Sequence, residues 1–182
     1  TGGEVVLRFE DVTFHYSENK PILLESNFLI RRGAKLTLMG QNGAGKSTLF
    51  SMIMGDIHPE EGRIIVGQGL KVAIAKQLIP HTQWGLTVRE FLELPFDEKI
   101  YDIDKRAVSV FETVALNVPL DKHIKDLSGG QKGRLLIAQA LIQDPDILLL
   151  DEPTNNLDKA GIQLLTDFMK TYPKTVIVIS HD

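Results

Sequence analysis

The stretch GQNGAGKST, residues 40–48, places three glycines within six residues and follows the last of them with a lysine and two hydroxyl residues. It comes directly after the strand-like run KLTLM at 35–39, and the apolar-periodic residues that follow predict a helix beginning at Gly45 or Lys46. The stretch matches the phosphate-binding pattern G-x-x-x-x-G-K-[ST] completely. The alternative is an ordinary glycine-rich turn, but the strand upstream and the helix downstream favour phosphate binding.

The residue types of this loop suit a bound polyphosphate. Glycines let backbone N–H groups turn inward with no side chain in the way, and the start of the helix adds further N–H groups and its positive dipole end. Lys46 would neutralise the terminal phosphates, Ser47 would offer its hydroxyl oxygen to Mg²⁺, and Thr48 would support the loop. The loop therefore predicts phosphate chemistry.

Two adjacent carboxylates, Asp151 and Glu152, end the apolar run at 147–150. Ligands of open α/β sheets bind at the carboxyl ends of the strands. Asp151 would hold Mg²⁺ through water, and Glu152 would act as general base on an attacking water. The alternative is that the pair caps the helix predicted from Lys159, a role that suits Asp158 better.

Composition and charge limit the classes of function. The 182 residues suffice for one domain, and 43% hydrophobic residues are typical of a globular protein. Lys and Arg number 20 against 24 Asp and Glu, so a net charge of −4 offers no overall basic field for nucleic acid, although it permits a local basic patch. The chain has no cysteine and no apolar run near the ~18 residues of a membrane span. No basic region followed by an apolar one opens this segment, so we expect no secretory signal in it; the alternative is a leader that has been removed. We expect a cytoplasmic protein.

Strand-like runs alternate with helical stretches along the chain, which predicts an α/β layer fold. The runs at 147–150 and 176–179 are apolar throughout, as in central parallel strands that are covered on both faces. Other strands are predicted near Val5 and at 71–75, a turn is predicted at 58–62, and helices are predicted near Thr87, around Asp104, after Ser128 and at Lys159. Residues 78–130 look mostly helical, which suggests a small helical subdomain.

The motif LSGGQ at 127–131 precedes the helical run KGRLLIAQALIQ. Ser128 is a typical N-cap, and Gly129 and Gly130 leave the start of the helix bare. From the residues alone, the motif is either a second anion site without a lysine or an N-cap only.

Taken together and in this order, these stretches resemble the ATP-binding cassette (ABC) family over nearly the whole chain. GQNGAGKST resembles its Walker A loop, AIAKQ ending at Gln77 its Q-loop, LSGGQ its signature motif, ILLLDE its Walker B motif and NNLD its D-loop. His181 resembles the switch histidine, and Tyr16 stands where the family stacks an aromatic ring on adenine. The resemblance implies a P-loop NTPase fold of the ABC type, with a mostly parallel sheet core, an antiparallel β subdomain and a small helical subdomain. Residues 1–182 would form a single nucleotide-binding domain that is truncated at its C-terminus.

The same resemblance implies a Mg²⁺-dependent ATPase and assigns its site residues. The catalytic residues would be Glu152, His181 and Gln77, and the metal ligands Ser47, Gln77 and Asp151. The residues that bind ATP would be Tyr16, Gly40, Asn42, Gly43, Ala44, Gly45, Lys46, Ser47, Thr48, Ser128, Gly129, Gly130 and Gln131. Because the family pairs cassettes head to tail, Ser128–Gln131 would serve the nucleotide of a second cassette, either in the same chain or in a homodimer.

Two motifs indicate the branch of the family. DEPTNNLD at 151–158 and LSGGQKGR at 127–134 resemble ABC-F translation factors more than transport subunits. ABC-F proteins usually carry histidine where this chain has Asn156, and the interval from Gln77 to Ser128 leaves little room for the hairpin arm of some members. The leading hypothesis is a cassette of a tandem ABC-F protein that acts on ribosomes. The alternatives are the motor subunit of an ABC transporter, bound to a membrane permease, and a non-hydrolysing nucleotide switch, against which Glu152 argues.

Overall fold

The computed structural model describes residues 3–17, 20–39 and 43–180, with side chains for residues 3–15, 26–39 and 45–180. Its strands are β1 (Val5–Ser17), β2 (Lys20–Arg31), β3 (Lys35–Met39), β4 (Glu61–Val66), β5 (Val72–Ala75), β6 (Ile147–Asp151) and β7 (Thr175–Ser180). Its α-helices are α1 (Gly43–Met54), α2 (Val88–Glu93), α3 (Ile103–Val114), α4 (Gly129–Leu141) and α5 (Lys159–Thr171).

Four strands form a parallel sheet in the order β3-β7-β6-β5. The two apolar runs predicted to be central strands are β6 and β7, which occupy the two inner positions. Along β6, Ile147 and Leu149 belong to one apolar cluster while Leu148 and Leu150 belong to another, so the strand is buried on both faces. This burial explains why no polar residue interrupts the strand before Asp151.

The other three strands form an antiparallel sheet in the order β2-β1-β4. A register shift between Glu10 and Thr13 bends β1 against β4, and Asp11 at the bend has a positive φ of 49°. Opposite it, Gly62 has φ +76°, and a Cβ at Gly62 would lie 2.3 Å from the carbonyl oxygens of Glu10 and Asp11. Only glycine permits this approach of the two backbones.

The helices lie in two groups. Helix α1 packs between the two sheets, in the apolar cluster that contains Ile147 and Leu149, where Phe9 and Phe50 are fully buried. The remaining helices pack on the opposite face of the parallel sheet, in the cluster that contains Leu148 and Leu150. Residues 78–130, all of which are described, hold α2, α3 and short 3-10 turns at 81–83 and 124–126, joined by extended segments. Within them Phe91 and Phe111 are buried.

Two boundaries differ from the expectation drawn from the sequence. Helix α1 begins at Gly43, before the predicted start at Gly45 or Lys46, so Gly43 and Ala44 belong to its first turn. The predicted turn at 58–62 ends early, because β4 already begins at Glu61, which pairs with Thr13 of β1. The combination of a parallel core sheet with a separate antiparallel sheet is as predicted. Among the described residues, no helix combines the length and the apolar character needed to cross a membrane.

Candidate functional site

The parallel register brings the predicted site residues to one edge of the core sheet. Met39 pairs with Ser180, Asp151 with Ile179 and Ala75 with Leu150, so the carboxyl ends of all four strands lie together. Asp151 and Glu152 therefore lie at the same edge as Gln77 and as the start of α1. This is the edge where open α/β sheets bind ligands.

Some predicted positions are not covered by the structure. Gly40, Asn42 and His181 lie outside the described residues. For Tyr16, in β1, and for Gly43 and Ala44, in α1, only the backbone is described.

Ser47 and Asp151 are in direct contact, although 104 positions separate them in the sequence. The Ser47 Oγ hydroxyl donates to Asp151 Oδ2 at 3.0 Å. The contact forms because α1 starts at the sheet edge where β6 ends. A hydroxyl oxygen beside a carboxylate is a donor set that suits Mg²⁺, which takes one or two protein oxygens and keeps several waters.

Lys46 carries a buried ammonium group. Its Nζ atom is shielded from solvent and has no hydrogen-bond partner among the described residues. Burying a cation without a partner is costly, so the position favours an anion that enters the site. Together with the N-terminal turn of α1, this ammonium fits a phosphate group.

Glu152 is buried, with 6% of its surface exposed, and adopts a left-handed backbone conformation with φ 48°. Its N–H donates to the carbonyl of Ile179 on β7 at 2.9 Å, which holds this conformation at the end of β6. Such backbone strain in a non-glycine residue is typical of functional sites.

The amide of Asn155 orients the Glu152 carboxylate. Asn155 Nδ2 donates to Glu152 Oε2 at 3.3 Å. Sequence reasoning did not single out Asn155. The sequence does contain a signal for this contact: Asn155 follows Glu152 by three residues, and at that spacing a tight turn brings the amide back to the carboxylate.

The signature motif begins α4 with a capping box. Ser128 Oγ accepts from the N–H of Gln131 at 3.1 Å, and Gln131 Oε1 accepts from the N–H of Ser128 at 2.9 Å. Ser128 is thus an N-cap, and each of the two side chains accepts from the backbone N–H of the other residue. Ser128 and Gly129 are exposed, so this helix start can be reached from outside the chain.

The two basic residues after the signature motif have partners within the chain. Lys132 Nζ lies 3.6 Å from the centroid of the Trp84 ring, a cation–π contact. Arg134 donates to the carbonyl of Ala115 at 2.8 Å, beyond the end of α3, and pairs with Asp158 at 3.5 Å. Both side chains therefore brace α4 against its neighbours.

Comparison with known proteins gives a family and several relatives. The family model described as ABC transporter matches residues 23–155. ATP-binding protein Uup of Buchnera aphidicola is 34% identical over 182 residues, which cover 99% of this chain and 30% of Uup. Zinc import ATP-binding protein ZnuC of Paracoccus denitrificans is 35% identical over 178 residues, which cover 94% of this chain and 68% of ZnuC.

A solved structure shares both fold and sequence with this chain. It is the dimeric, post-hydrolysis state of the ATP-binding cassette MJ0796 bound to ADP and Pi, with a TM-score of 0.77 and 30% identity over 97% of this chain and 88% of that one. The likeness confirms the predicted fold class. The chain spans 30% of the length of Uup from Buchnera and 28% of YdiF from Bacillus subtilis.

Proposed function

Since the chain belongs to the ABC transporter family and is one of its ATPase cassettes, we propose that it binds Mg²⁺-ATP at the carboxyl edge of its parallel sheet and hydrolyses it. The observation that carries this proposal is the buried Lys46 ammonium, which has no hydrogen-bond partner within the described part of the chain, next to the Ser47–Asp151 contact. A cation that lacks a partner and an oxygen pair that suits a metal ion are what a metal–polyphosphate complex requires on either side.

Binding would begin at the first turn of α1. Its unpaired N–H groups and Lys46 would hold the β- and γ-phosphates, and the residues 40–45 would wrap them with backbone. Tyr16 would stack on the adenine ring. Ser47, Gln77 and Asp151 would hold Mg²⁺, which neutralises charge on the phosphate oxygens when it is bound.

Hydrolysis needs a base that can take a proton from the attacking water. Glu152 would accept that proton on its carboxylate, since it follows β6 directly and lies one residue from the metal-binding Asp151. The amide of Asn155 fixes one carboxylate oxygen at 3.3 Å and leaves the orientation of the group defined before water arrives. His181 and Gln77 would complete the catalytic set around the γ-phosphate.

A second cassette would complete the site. Ser128 and Gly129 of the signature motif are exposed at the start of α4, and the glycines of the motif offer the N–H groups of a helix end without side chains in front of them. We propose that Ser128, Gly129, Gly130 and Gln131 contact the nucleotide of a head-to-tail partner. The MJ0796 relative is dimeric, which supports this arrangement.

The cellular role we propose is that of an ABC-F cassette in the cytoplasm, paired with a second cassette and acting on ribosomes. Its support is the DEPTNNLD and LSGGQKGR motifs and the match to Uup, a relative named only as an ATP-binding protein and more than three times as long as the match. The alternative, a transporter motor bound to a membrane permease, is supported by the 35% identity to zinc import protein ZnuC.

The substitution Glu152→Gln tests the catalytic part. An amide cannot take the proton of water, so we expect hydrolysis to slow by about 10²- to 10⁴-fold while ATP binding persists. ATP that is bound but not hydrolysed should hold two chains together, and size-exclusion chromatography should then show an ATP-dependent dimer. The matched control is Glu112→Gln on the exposed face of α3, which should leave the rate unchanged. Equal rates in both variants would contradict the role of Glu152.

The cellular part is tested with the same Glu152→Gln variant in its complete native reading frame. We expect it to sediment with ribosomes when ATP is present and less without ATP, since ATP closure fixes one orientation of the paired cassettes. If it stays in the supernatant and is instead recovered with a membrane permease, the transporter role replaces the ABC-F role.

A further inference from the structure

We propose that Asn156 is a positioning residue: it lies between helix α4 and the residues next to Gln77 (the Gln77 segment), and it holds this segment in a fixed place relative to the loop 152–158 that follows β6. The inference rests on the proposed ATPase function and adds to it a residue that does not itself touch the nucleotide. Asn156 stands at the position where ABC-F proteins usually carry histidine, so its role in this chain has to be derived from its contacts.

The side chain of Asn156 connects two motifs. Its Nδ2 donates to the backbone carbonyl of Gln77 at 3.4 Å, across 79 positions of sequence. Gln77 is two residues beyond the end of β5 and is half-buried at the carboxyl edge of the sheet. The contact therefore ties the loop that carries a proposed metal ligand to the loop that follows Glu152.

The Cβ atom and the carbonyl oxygen of Asn156 lie close to helix α4, which begins in the signature motif. A Cβ added to Gly133 would lie 3.2 Å from the Cβ of Asn156, and one added to Gly130 would lie 3.5 Å from its carbonyl oxygen. Both glycines belong to α4, one turn apart, so Asn156 seats in a shallow depression that only small residues leave open. Asn156 thus contacts the Gln77 segment on one side and α4 on the other.

The loop that carries Asn156 is anchored at both ends. At its start, the N–H of Glu152 donates to Ile179 on β7 at 2.9 Å. At its end, Asp158 caps α5 by accepting from the N–H of Gly161 at 2.8 Å. Because neither end of the loop can shift freely, the contact of Asn156 in its middle fixes the place of Gln77 relative to Glu152.

The consequence concerns turnover more than ATP binding. The phosphate contacts we propose, from Lys46 and the backbone N–H groups of the first turn of α1, do not involve Asn156. A misplaced Gln77 would instead disturb the arrangement of water and metal ligands near Glu152 during hydrolysis of the bond to the γ-phosphate. Loss of the Asn156 contact should therefore lower kcat and leave KM nearly unchanged.

The test measures ATP hydrolysis over a range of ATP concentrations. Asn156→Leu and Asn156→Asp are nearly isosteric and retain the Cβ that packs on Gly133, but both lose the donor to Gln77. We expect kcat to fall roughly three- to tenfold, the effect of one lost hydrogen bond in the transition state, with KM changed less than about twofold. Asn117→Asp, on an exposed loop, is the control for the added charge.

Gly133→Ala perturbs the contact between Asn156 and α4 from the side of the helix. The new methyl group would push on Asn156 and should lower kcat in the same direction, again with little change in KM. Gly85→Ala is the control, since a Cβ there meets nothing within 4 Å and φ is not positive. Emission of Trp84, the only tryptophan, verifies the fold of each variant, because its indole donates to the carbonyl of Ile79 beside the Gln77 segment at 3.0 Å.

Each outcome has one meaning. Unchanged kcat in both Asn156 variants, or a raised KM at constant kcat, overturns the positioning role while the wild-type rate upholds the ATPase function. A variant whose Trp84 emission shows unfolding leaves the decision to Gly133→Ala, whose failure to lower kcat also overturns the role. A wild-type chain that neither binds nor hydrolyses ATP refutes the proposed function and this inference together.

Discussion

Replacing Lys46 by methionine should stabilise the protein without nucleotide and weaken its response to ATP. In the nucleotide-free chain the Lys46 Nζ atom is buried without a hydrogen-bond partner among the described residues. Methionine has nearly the same length and no charge to desolvate. Removal of an unsatisfied buried polar group recovers about 1 kcal/mol or more, and for a chain of this size each kcal/mol raises Tm by about 2 to 4 °C.

The response to ATP should change in the opposite direction. At an ATP concentration of about 100 times Kd, binding stabilises the wild type by about 2.7 kcal/mol, or roughly 5 to 11 °C in Tm. A charge-assisted contact contributes about 1.5 to 3 kcal/mol, so its loss raises Kd roughly 13- to 160-fold. At the same ATP concentration the stabilisation then falls to about 0.3 to 1.3 kcal/mol, or about 1 to 5 °C.

The assay is thermal unfolding followed with and without Mg²⁺-ATP. Lys35→Met is the matched control, because Lys35 Nζ donates to the carbonyls of Gly33 at 3.0 Å and Lys174 at 2.6 Å. It should lower Tm without nucleotide and leave the ATP-induced shift unchanged. A lower nucleotide-free Tm for Lys46→Met, or an ATP-induced shift equal to that of the wild type, would refute the reasoning.

Two further predictions concern stability. Burial, followed by the charges of Asp144 and Asp146, raises the pKa of Tyr172 to about 12, and its hydroxyl donates to the carbonyl of Pro145 at 2.8 Å. Because the folded state keeps the phenol protonated, the contribution of Tyr172 to the free energy of unfolding is complete below about pH 10 and is lost by about pH 12. In urea titrations at pH 9 to 12, Tyr172→Phe should therefore lose less stability over that interval than the wild type. An identical loss in the two proteins would contradict this prediction. Gly62→Ala should destabilise the fold by more than about 3 kcal/mol, since φ is +76° and the methyl group would lie 2.3 Å from two carbonyl oxygens. Gly69→Ala is the control: φ is +75° there as well, but the space is open, so the substitution should cost only about 1 kcal/mol. Equal denaturation midpoints for the two variants would contradict the proposed clash.

Several features of the protein could be predicted from the sequence because they depend on contiguous residues. A phosphate loop needs its glycines, lysine and serine in one short segment between a strand and a helix, so 40–48 was recognisable without any tertiary information. The central strands β6 and β7 could also be predicted from the sequence, since burial on both faces requires unbroken apolar runs. The capping roles of Ser128 and Asp158 also follow from local rules for helix starts.

Strands β2 and β4 were not predicted individually, because their sequences lack the apolar runs of a core strand. Bulges interrupt the pairing of β1 with both neighbours, and Phe28, Leu29 and Ile65 are partly exposed, so the alternation of buried and exposed residues is irregular. Their pairing depends on β1 lying between them, which no local pattern states.

Contacts between residues that are distant in the sequence depend on the folded arrangement. The hydroxyl of Ser47 reaches Asp151, and the amide of Asn156 reaches Gln77, through the order of strands in the parallel sheet. The left-handed backbone of Glu152 is likewise held by Ile179 on the neighbouring strand. Which residues could bind phosphate and accept a proton was evident from the sequence, because that depends on side-chain chemistry and local spacing. Their mutual distances and burial depend on packing between elements far apart in the chain, and therefore only the folded structure sets them.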